Sequence, residues 1–161
     1  GYTRVGAARN IAGEADIKRQ EVLEVAIVAF PHIANFTDFY PLSIEPYVSL
    51  KIAASPPQLL GADLIVLPGS KATASDLEWL RDRGMDKAIR QAVIDRGVVV
   101  LGICAGYQML GHTIFDEVES RLGEIKGLGL LDVHTVFEKD KVVRQVKGRV
   151  QADERVKGWG R

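Results

Sequence analysis

Three short and nearly continuous runs of apolar residues constrain the fold of this chain more than any other feature. They are Leu23–Phe30, Ala62–Leu67 and Val98–Ile103. Runs of this length that do not alternate with polar residues are typical of strands buried on both faces, as in a parallel sheet covered by helices. A weaker strand candidate, Tyr47–Ala53, lies between the first two runs. The pattern predicts an α/β fold.

A helical segment separates the second and third runs. Ser75–Glu78 has the spacing of a capping box, and apolar residues from Met85 to Val93 recur at intervals that place them on one helix face. Gly84 interrupts the segment and Gly97 is a suitable C-terminal stop. Strand, helix and strand at this spacing predict a right-handed crossover in a flavodoxin-like layered fold with a mostly parallel sheet.

The two ends of the chain have different patterns. Leu128–Phe137 and Val142–Val150 are predicted strands joined by a charged turn at 138–141. Two strands with a short turn predict a C-terminal antiparallel hairpin. Residues 1–22 show no regular period and are predicted to be a tail or linker, so that the domain spans residues 23–161.

The composition excludes several classes of protein. The 161 residues suffice for one ordinary domain, and 21 Lys and Arg balance 21 Asp and Glu, whereas a dedicated nucleic-acid-binding protein normally has a basic excess. A single cysteine excludes a disulfide framework and a zinc site built from several cysteines, and we predict no metal site. No apolar segment is long enough for a signal peptide or a membrane span, which predicts a cytoplasmic protein with no membrane partner.

The sharpest chemical feature is Gly102-Ile103-Cys104-Ala105-Gly106, which follows a predicted buried strand and leads into a short predicted helix, Tyr107–Gly111. This is the pattern of a nucleophile elbow with cysteine in the nucleophile position, because the flanking glycines avoid clashes in a sharp strand-to-helix turn. The turn lifts the thiol to the carboxyl edge of the sheet, and the helix N-terminus favours the thiolate. A lone cysteine is more often a small buried side chain, but the flanking pattern favours a catalytic Cys104.

A second candidate feature, Pro68-Gly69-Ser70-Lys71, follows the preceding predicted strand. A glycine turn at that edge can direct backbone N–H groups at the nucleophile, so that the N–H groups of Gly69 and Ala105 would form an oxyanion hole. The same residues also suit an ordinary turn between strand and helix. They lack the Walker pattern, and no ATP site is predicted in this chain.

A cysteine nucleophile usually needs a general base, most often histidine. The candidates are His32, His112 and His134. Each could equally be a structural histidine, and their spacing does not choose among them. Asn35-Phe36-Thr37-Asp38-Phe39 follows the first predicted strand and could form a binding loop, although spacing alone favours a helix N-cap at Thr37 or Asp38.

The segment Gly102–Gly111 resembles the nucleophile motif of class I, or triad, glutamine amidotransferases. More narrowly, it resembles the glutaminase domain of cobyric acid synthases (CobQ type). Three further stretches match that narrower family in the same order. They are Asn35–Phe39, Leu67–Lys71 with Asp76–Leu80, and Gly127–Leu131. The resemblance runs from Val25 to Val150 and is specific because its motifs occur in combination.

The resemblance implies a chemistry for these residues. Cys104 would attack the side-chain amide of glutamine, and ammonia would leave as a thioester forms, which water then hydrolyses to glutamate. Gly69 and Ala105 would supply the oxyanion N–H groups. Ser70 and Gln108 would bind the substrate glutamine.

The resemblance also implies partners. Asn35, Thr37 and Asp38 would belong to an inter-domain loop. Ammonia would pass to an N-terminal ATP-dependent synthetase domain, where ATP and Mg are expected, while this chain itself would need no cofactor. There it would amidate corrin-ring carboxylates of adenosylcobyrinic acid a,c-diamide in cobalamin biosynthesis.

Two departures from the family pattern affect these expectations. Ala105 stands where the family more often has glycine, a change that keeps the backbone N–H. The family's catalytic histidine and its carboxylate partner lie well downstream of Gly127–Leu131, and neither His112 nor His134 matches that position. We therefore expect the C-terminal end to be incomplete and the chain to be an inactive fragment of a longer synthase. A natural inactive homologue and a base supplied by a partner chain are the alternatives.

Rival functions share parts of this pattern. An inactive amidotransferase-like binding domain would keep a glutamine pocket without a base. A cobyrinic acid a,c-diamide synthase would share the elbow, but the Asn35–Phe39 and Gly69–Lys71 stretches argue against it. A protein of the DJ-1/PfpI type needs an acidic residue near the cysteine, and Glu45 is only a remote candidate.

Overall fold

The computed structural model describes residues 22–140, 143 and 145–148 of the chain. The predicted tail therefore lies outside the described residues, apart from Val22. Within the described part, no helix is both long enough and apolar enough to cross a membrane.

A four-stranded parallel sheet forms the centre of the fold. Its strands are β1 (Leu23–Val28), β2 (Val48–Ala53), β3 (Leu64–Leu67) and β4 (Val99–Gly102), in the order β2-β1-β3-β4. The three strong apolar runs and the weaker one each became a strand of this sheet. The predicted α/β fold with a mostly parallel sheet is thus confirmed.

Four α-helices and two 3₁₀ turns, Phe36–Phe39 and Pro56–Leu59, accompany the sheet within the described residues. The α-helices are α1 (Tyr40–Ser43), α2 (Thr73–Asp82), α3 (Met85–Arg96) and α4 (Ala105–Leu110). Gly84 and Gly97 adopt left-handed backbone conformations at the two ends of α3, with φ of 68° and 66°. These glycines separate α2 from α3 and stop α3, as the sequence predicts.

The predicted capping box at Ser75–Glu78 is wrong. Helix α2 already begins at Thr73 and its N-cap residue is Ala72, so that Ser75 lies inside the first turn. The physical reason is a competing hydrogen bond, since the Ser70 hydroxyl accepts the N–H of Ala72 at 2.9 Å and turns the chain into the helix earlier.

Alternate residues of the central strands enter two apolar clusters on opposite faces of the sheet. The larger cluster joins the sheet to α2, α3 and α4, and its buried members include Val28, Ile65, Leu77, Ile89 and Met109. The smaller cluster contains Val25, Ile27, Phe39 and Val66. Phe39 belongs to a 3₁₀ turn at Phe36–Phe39, which precedes α1 and covers part of the second face.

A second, three-stranded sheet follows α4. It consists of β5 (Thr113–Asp116), β6 (Gly123–Lys126) and β7 (His134–Val136), in the order β6-β5-β7. The β5–β6 pair is antiparallel and the β5–β7 pair is parallel.

The antiparallel hairpin therefore lies earlier in the chain than predicted. Of the predicted strand Leu128–Phe137, only His134–Val136 is a strand. The first part of that segment pairs with the end of α4 instead, since the N–H of Leu128 donates to the Met109 carbonyl at 2.7 Å. The Leu128 side chain is fully buried there. Much of the predicted strand Val142–Val150 lies outside the described residues, and those of its residues that are described, 143 and 145–148, are not in a strand.

Candidate active site

Cys104 occupies a sharp turn between β4 and α4. It is the N-cap residue of α4, its side chain is exposed, and its backbone has φ 51° and ψ −112°. A positive φ with this ψ lies outside the small left-handed region that non-glycine residues tolerate. The strained strand-to-helix turn expected of a nucleophile elbow is therefore present, with the thiol at the carboxyl end of a parallel strand.

The two flanking glycines are required by close backbone approaches. A β-carbon at Gly102 would lie 2.6 Å from the Tyr107 backbone, and one at Gly106 would lie 2.0 Å from the Leu67 carbonyl oxygen. Both distances are too short for any real side chain. The chain can make this turn only with glycine on both sides of Cys104, as the spacing predicted.

The turn after β3 lies directly beside Cys104. A β-carbon added at Gly69 would lie 3.8 Å from the Cys104 Cβ and 3.6 Å from the Ala34 Cβ. The N–H groups of Gly69 and Ala105 donate no hydrogen bond to any of the described residues. Two backbone donors without a partner among the described residues thus lie close to the thiol. Their role as an oxyanion hole stays a prediction.

The turn after β3 pairs with the turn after β1. The N–H of Ala34 donates to the Gly69 carbonyl and the N–H of Lys71 donates to the His32 carbonyl, both at 2.8 Å. These bonds flank an isolated antiparallel bridge between Ile33 and Ser70. The loop that carries Gly69 is therefore held by the loop that follows the first strand.

A buried carboxylate joins the same two loops. Asp76, with no exposed surface, accepts the Ser70 hydroxyl at 2.6 Å, the His32 Nδ1–H at 2.8 Å and the His32 backbone N–H at 3.3 Å. The sequence pattern placed Asp76 in a predicted capping box and in a stretch that matches the family, but it did not predict this cluster. The spacing of α2 could have indicated that Asp76 is buried. Asp76 lies three residues after Thr73 and four before Leu80, and residues at these intervals share one face of a helix, which in α2 is the buried face.

The two residues predicted to bind glutamine lie on different elements, Ser70 in the turn after β3 and Gln108 in α4. Gln108 is one helical turn beyond Cys104, and its N–H donates to the Cys104 carbonyl at 3.1 Å. The Ser70 hydroxyl is engaged with Asp76 and with the N–H of Ala72. The glutamine-binding roles of Ser70 and Gln108 stay predictions.

The three histidines have other partners than the thiol. The rings of His112, just before β5, and His134, in β7, lie against each other with centroids 5.5 Å apart. His112 is also 3.3 Å from Asp132, and His134 is hydrogen-bonded to Thr113 at 2.6 Å. Among the described residues, no side chain is hydrogen-bonded to the Cys104 sulfur, and the identity of a base stays open.

The predicted inter-domain loop forms its own polar cluster on the surface. Asn35 donates to Asp38 at 2.5 Å and accepts from Thr37 at 2.7 Å, and all three side chains are exposed. Asn35, not Thr37 or Asp38, is the N-cap residue of the 3₁₀ turn. The N-cap prediction at Thr37 or Asp38 is therefore wrong, because these side chains bond to each other and not to backbone N–H groups.

Comparison with known proteins gives the relationship of this chain. The model of the CobB/CobQ-like glutamine amidotransferase domain matches residues 24–159. The chain belongs to this amidotransferase family. The cobyric acid synthase of Citrobacter koseri is 50% identical to this amidotransferase domain over 137 residues, and that of Salmonella choleraesuis is 51% identical over 131 residues.

The amidotransferase domain spans only part of these relatives. The two alignments cover 85% and 81% of this chain but 26% of each synthase. A solved structure described as a glutamine amidotransferase superposes on the domain with a TM-score of 0.54 at 22% sequence identity, covering 70% of this chain and 55% of that one. That likeness agrees with the α/β fold.

Proposed function

We propose that this chain is the glutaminase domain of a cobyric acid synthase and that Cys104 is its nucleophile. The observation that carries the proposal is the exposed thiol at a strained elbow, with the N–H groups of Gly69 and Ala105 beside it, which have no partner in the described part of the chain. The 50% identity to cobyric acid synthases supports the assignment within the family.

The proposed reaction is an acyl transfer in two steps. The Cys104 thiolate attacks the side-chain carbonyl of glutamine, and the Gly69 and Ala105 N–H groups bind the oxygen as it becomes negative. The tetrahedral intermediate collapses to a thioester as the C–N bond breaks, and the amide nitrogen takes up the proton that the Cys104 thiol gave up and leaves as ammonia. Water then attacks the thioester and releases glutamate and the thiol.

We also propose the fate of the ammonia. Because the chain spans about a quarter of each synthase it matches, a separate synthetase domain would receive the ammonia. That domain would use ATP and Mg to amidate carboxylates of adenosylcobyrinic acid a,c-diamide. The exposed cluster of Asn35, Thr37 and Asp38 would face it, and the whole enzyme would act in the cytoplasm.

The test is covalent labelling with a diazoketone analogue of glutamine, followed by intact-mass measurement. We expect one adduct per chain, no adduct in Cys104→Ala, and protection by excess glutamine. Iodoacetamide serves as the control, since it reports only whether the thiol is accessible and reactive. A folded chain whose Cys104 reacts with iodoacetamide but not with the analogue would contradict the proposal.

A second candidate function is glutamine binding without hydrolysis. It is favoured because the described histidines are bonded to other residues and not to the thiol: His32 to Asp76, His112 to Asp132 and His134 to Thr113. Release of glutamate from glutamine distinguishes the two candidates. Labelling by the analogue with no glutamate release would favour the binding domain, and catalytic release that Cys104→Ala abolishes would exclude it.

A further inference from the structure

We infer that Asp76 is a positioning residue for the proposed reaction and that it holds the Gly69 N–H in place for the oxyanion. This inference rests on the proposed function. Asp76 is hydrogen-bonded to Ser70 and His32, and it acts through these two residues.

The first step of the argument is the cost of burying Asp76. A carboxylate without solvent contact is unfavourable unless hydrogen bonds replace the lost water. The three donors described above, from Ser70 and His32, supply these bonds. Because two of them come from the loop after β1 and one from the loop after β3, the carboxylate can be satisfied only when both loops are in position.

The second step connects these loops to the thiol. The loop after β1 continues from His32 to Ala34, whose N–H holds the Gly69 carbonyl at 2.8 Å. The loop after β3 continues from Ser70 back to Gly69, which lies against Cys104. Loss of the Asp76 charge would loosen the bond from the Ala34 N–H to the Gly69 carbonyl and the hold on Ser70, the residue after Gly69. It would leave the glycines of the elbow in place.

The third step is the expected selectivity of the effect. An oxyanion donor stabilises charge only when it points at the developing oxygen, and a small displacement removes much of the benefit. The ketone oxygen of the diazoketone analogue would stand where the amide oxygen of glutamine stands and would accept from the same N–H groups. Alkylation by iodoacetamide develops no oxyanion and does not need these groups. A displaced Gly69 N–H should therefore slow the glutamine analogue and not iodoacetamide.

The experiment compares Asp76→Asn, which keeps the size of the side chain, with His32→Ala and with the matched control Glu78→Gln. Glu78 lies on the same helix with an exposed side chain. Two quantities are measured on the full chain: amide hydrogen exchange at Ala34 and Lys71, and the ratio of the Cys104 labelling rates for the diazoketone analogue and iodoacetamide. Near-UV circular dichroism verifies that each variant is folded.

We expect both quantities to change in Asp76→Asn. Exchange at Ala34 and Lys71 should rise by about tenfold or more, and the labelling ratio should fall by about ten- to a hundredfold. His32→Ala, which removes one donor from a half-exposed position, should change both in the same direction by less. Glu78→Gln should leave both within about twofold of the unsubstituted chain.

The outcomes separate this inference from the proposed function. Unchanged exchange in both Asp76→Asn and His32→Ala would overturn the inference, as would faster exchange with an unchanged labelling ratio. If Asp76→Asn does not fold, the amide exchange and the labelling ratio of His32→Ala test the inference in its place. If the unsubstituted chain is not labelled by the analogue, the proposed function fails and the positioning role fails with it. The exchange data would then show only whether Asp76 joins the loops.

Discussion

At the scale of single residues, the backbone of Cys104 is strained. A non-glycine residue held in a strained backbone region costs about 1–3 kcal/mol, and Cys104 has φ 51° and ψ −112°. Nothing in its side-chain contacts requires cysteine, because the thiol is exposed. Packing of the side chain therefore does not account for this conformation, whereas the proposed role of Cys104 as a nucleophile does.

Two substitutions of Cys104 measure this strain. Glycine adopts a positive φ without a steric penalty, whereas alanine retains the clash of its β-carbon. After subtraction of the greater flexibility of glycine in the unfolded chain, we expect Cys104→Gly to be about 1 kcal/mol more stable than Cys104→Ala. Urea unfolding of both variants gives the difference. If Cys104→Ala equals or exceeds Cys104→Gly in free energy of unfolding, the turn is not strained as described.

At the scale of elements, a buried aspartate organises the turn between β5 and β6. Asp116 accepts the backbone N–H groups of Val118, Glu119 and Ser120 at 3.0, 2.7 and 2.8 Å. Burial alone would raise the pKa of this carboxyl, but the hydrogen bonds from the Ser120 side chain and from these N–H groups outweigh it and lower the pKa below its ordinary value. The ionised side chain therefore stabilises the hairpin.

The Asp116→Asn variant tests this role through its pH dependence. Because the pKa is lowered in the folded state, the carboxylate stabilises the protein above the ordinary aspartate pKa of about 3.9, and this is lost as the pH falls through the lower, folded-state pKa. We expect Asp116→Asn to lose about 1–3 kcal/mol at pH 7. The difference from the unsubstituted chain should shrink below about pH 4.

Urea unfolding at several pH values gives these free energies. Glu117→Gln, an exposed substitution in the same turn, is the matched control and should have little effect. A loss in Asp116→Asn that does not change between pH 7 and pH 3 would show that the charge of Asp116 is unimportant.

The strands and helices of the central sheet were predictable because their signals are local. The run Leu64–Leu67 is apolar throughout and too short for a helix, which favours a buried strand. Gly97 ends α3 because that position has a left-handed backbone conformation. The hairpin was misplaced for the opposite reason. Leu128 has strand-like neighbours in sequence, but it becomes buried by pairing with the end of α4, a contact that no local pattern encodes.

At the scale of the whole molecule, the central sheet has an apolar and partly uncovered edge. Among the described residues, β4 pairs only with β3, and the exposed fractions of its Val99 and Leu101 side chains are 63% and 48%. Their register places them beside Leu64 and Val66, on the second face of the sheet. An open apolar edge strand of this kind promotes association between chains.

A charged side chain on this edge tests the role of the exposed strand in association. We expect Val99→Lys to reduce concentration-dependent light scattering of the chain, because lysine on an edge strand opposes edge-to-edge pairing. Its free energy of unfolding should change by less than about 1 kcal/mol. Ile94→Lys, at a 79% exposed position on α3, adds the same charge elsewhere. If both variants reduce the light scattering equally, the added net charge and not the edge strand is responsible.

The sequence by itself determined the parallel sheet, the helix stops and the elbow around Cys104, because each depends on residues that are close together in the chain. Steric demands such as those at Gly102 and Gly106 can be read from spacing alone. Only the tertiary structure decided that Asp76, Ser70 and His32 meet, since their hydrogen bonds join residues up to 44 positions apart in the chain. It also decided that the Gly69 turn lies against Cys104, because parallel strands bring their carboxyl ends together only after the sheet has formed its strand order.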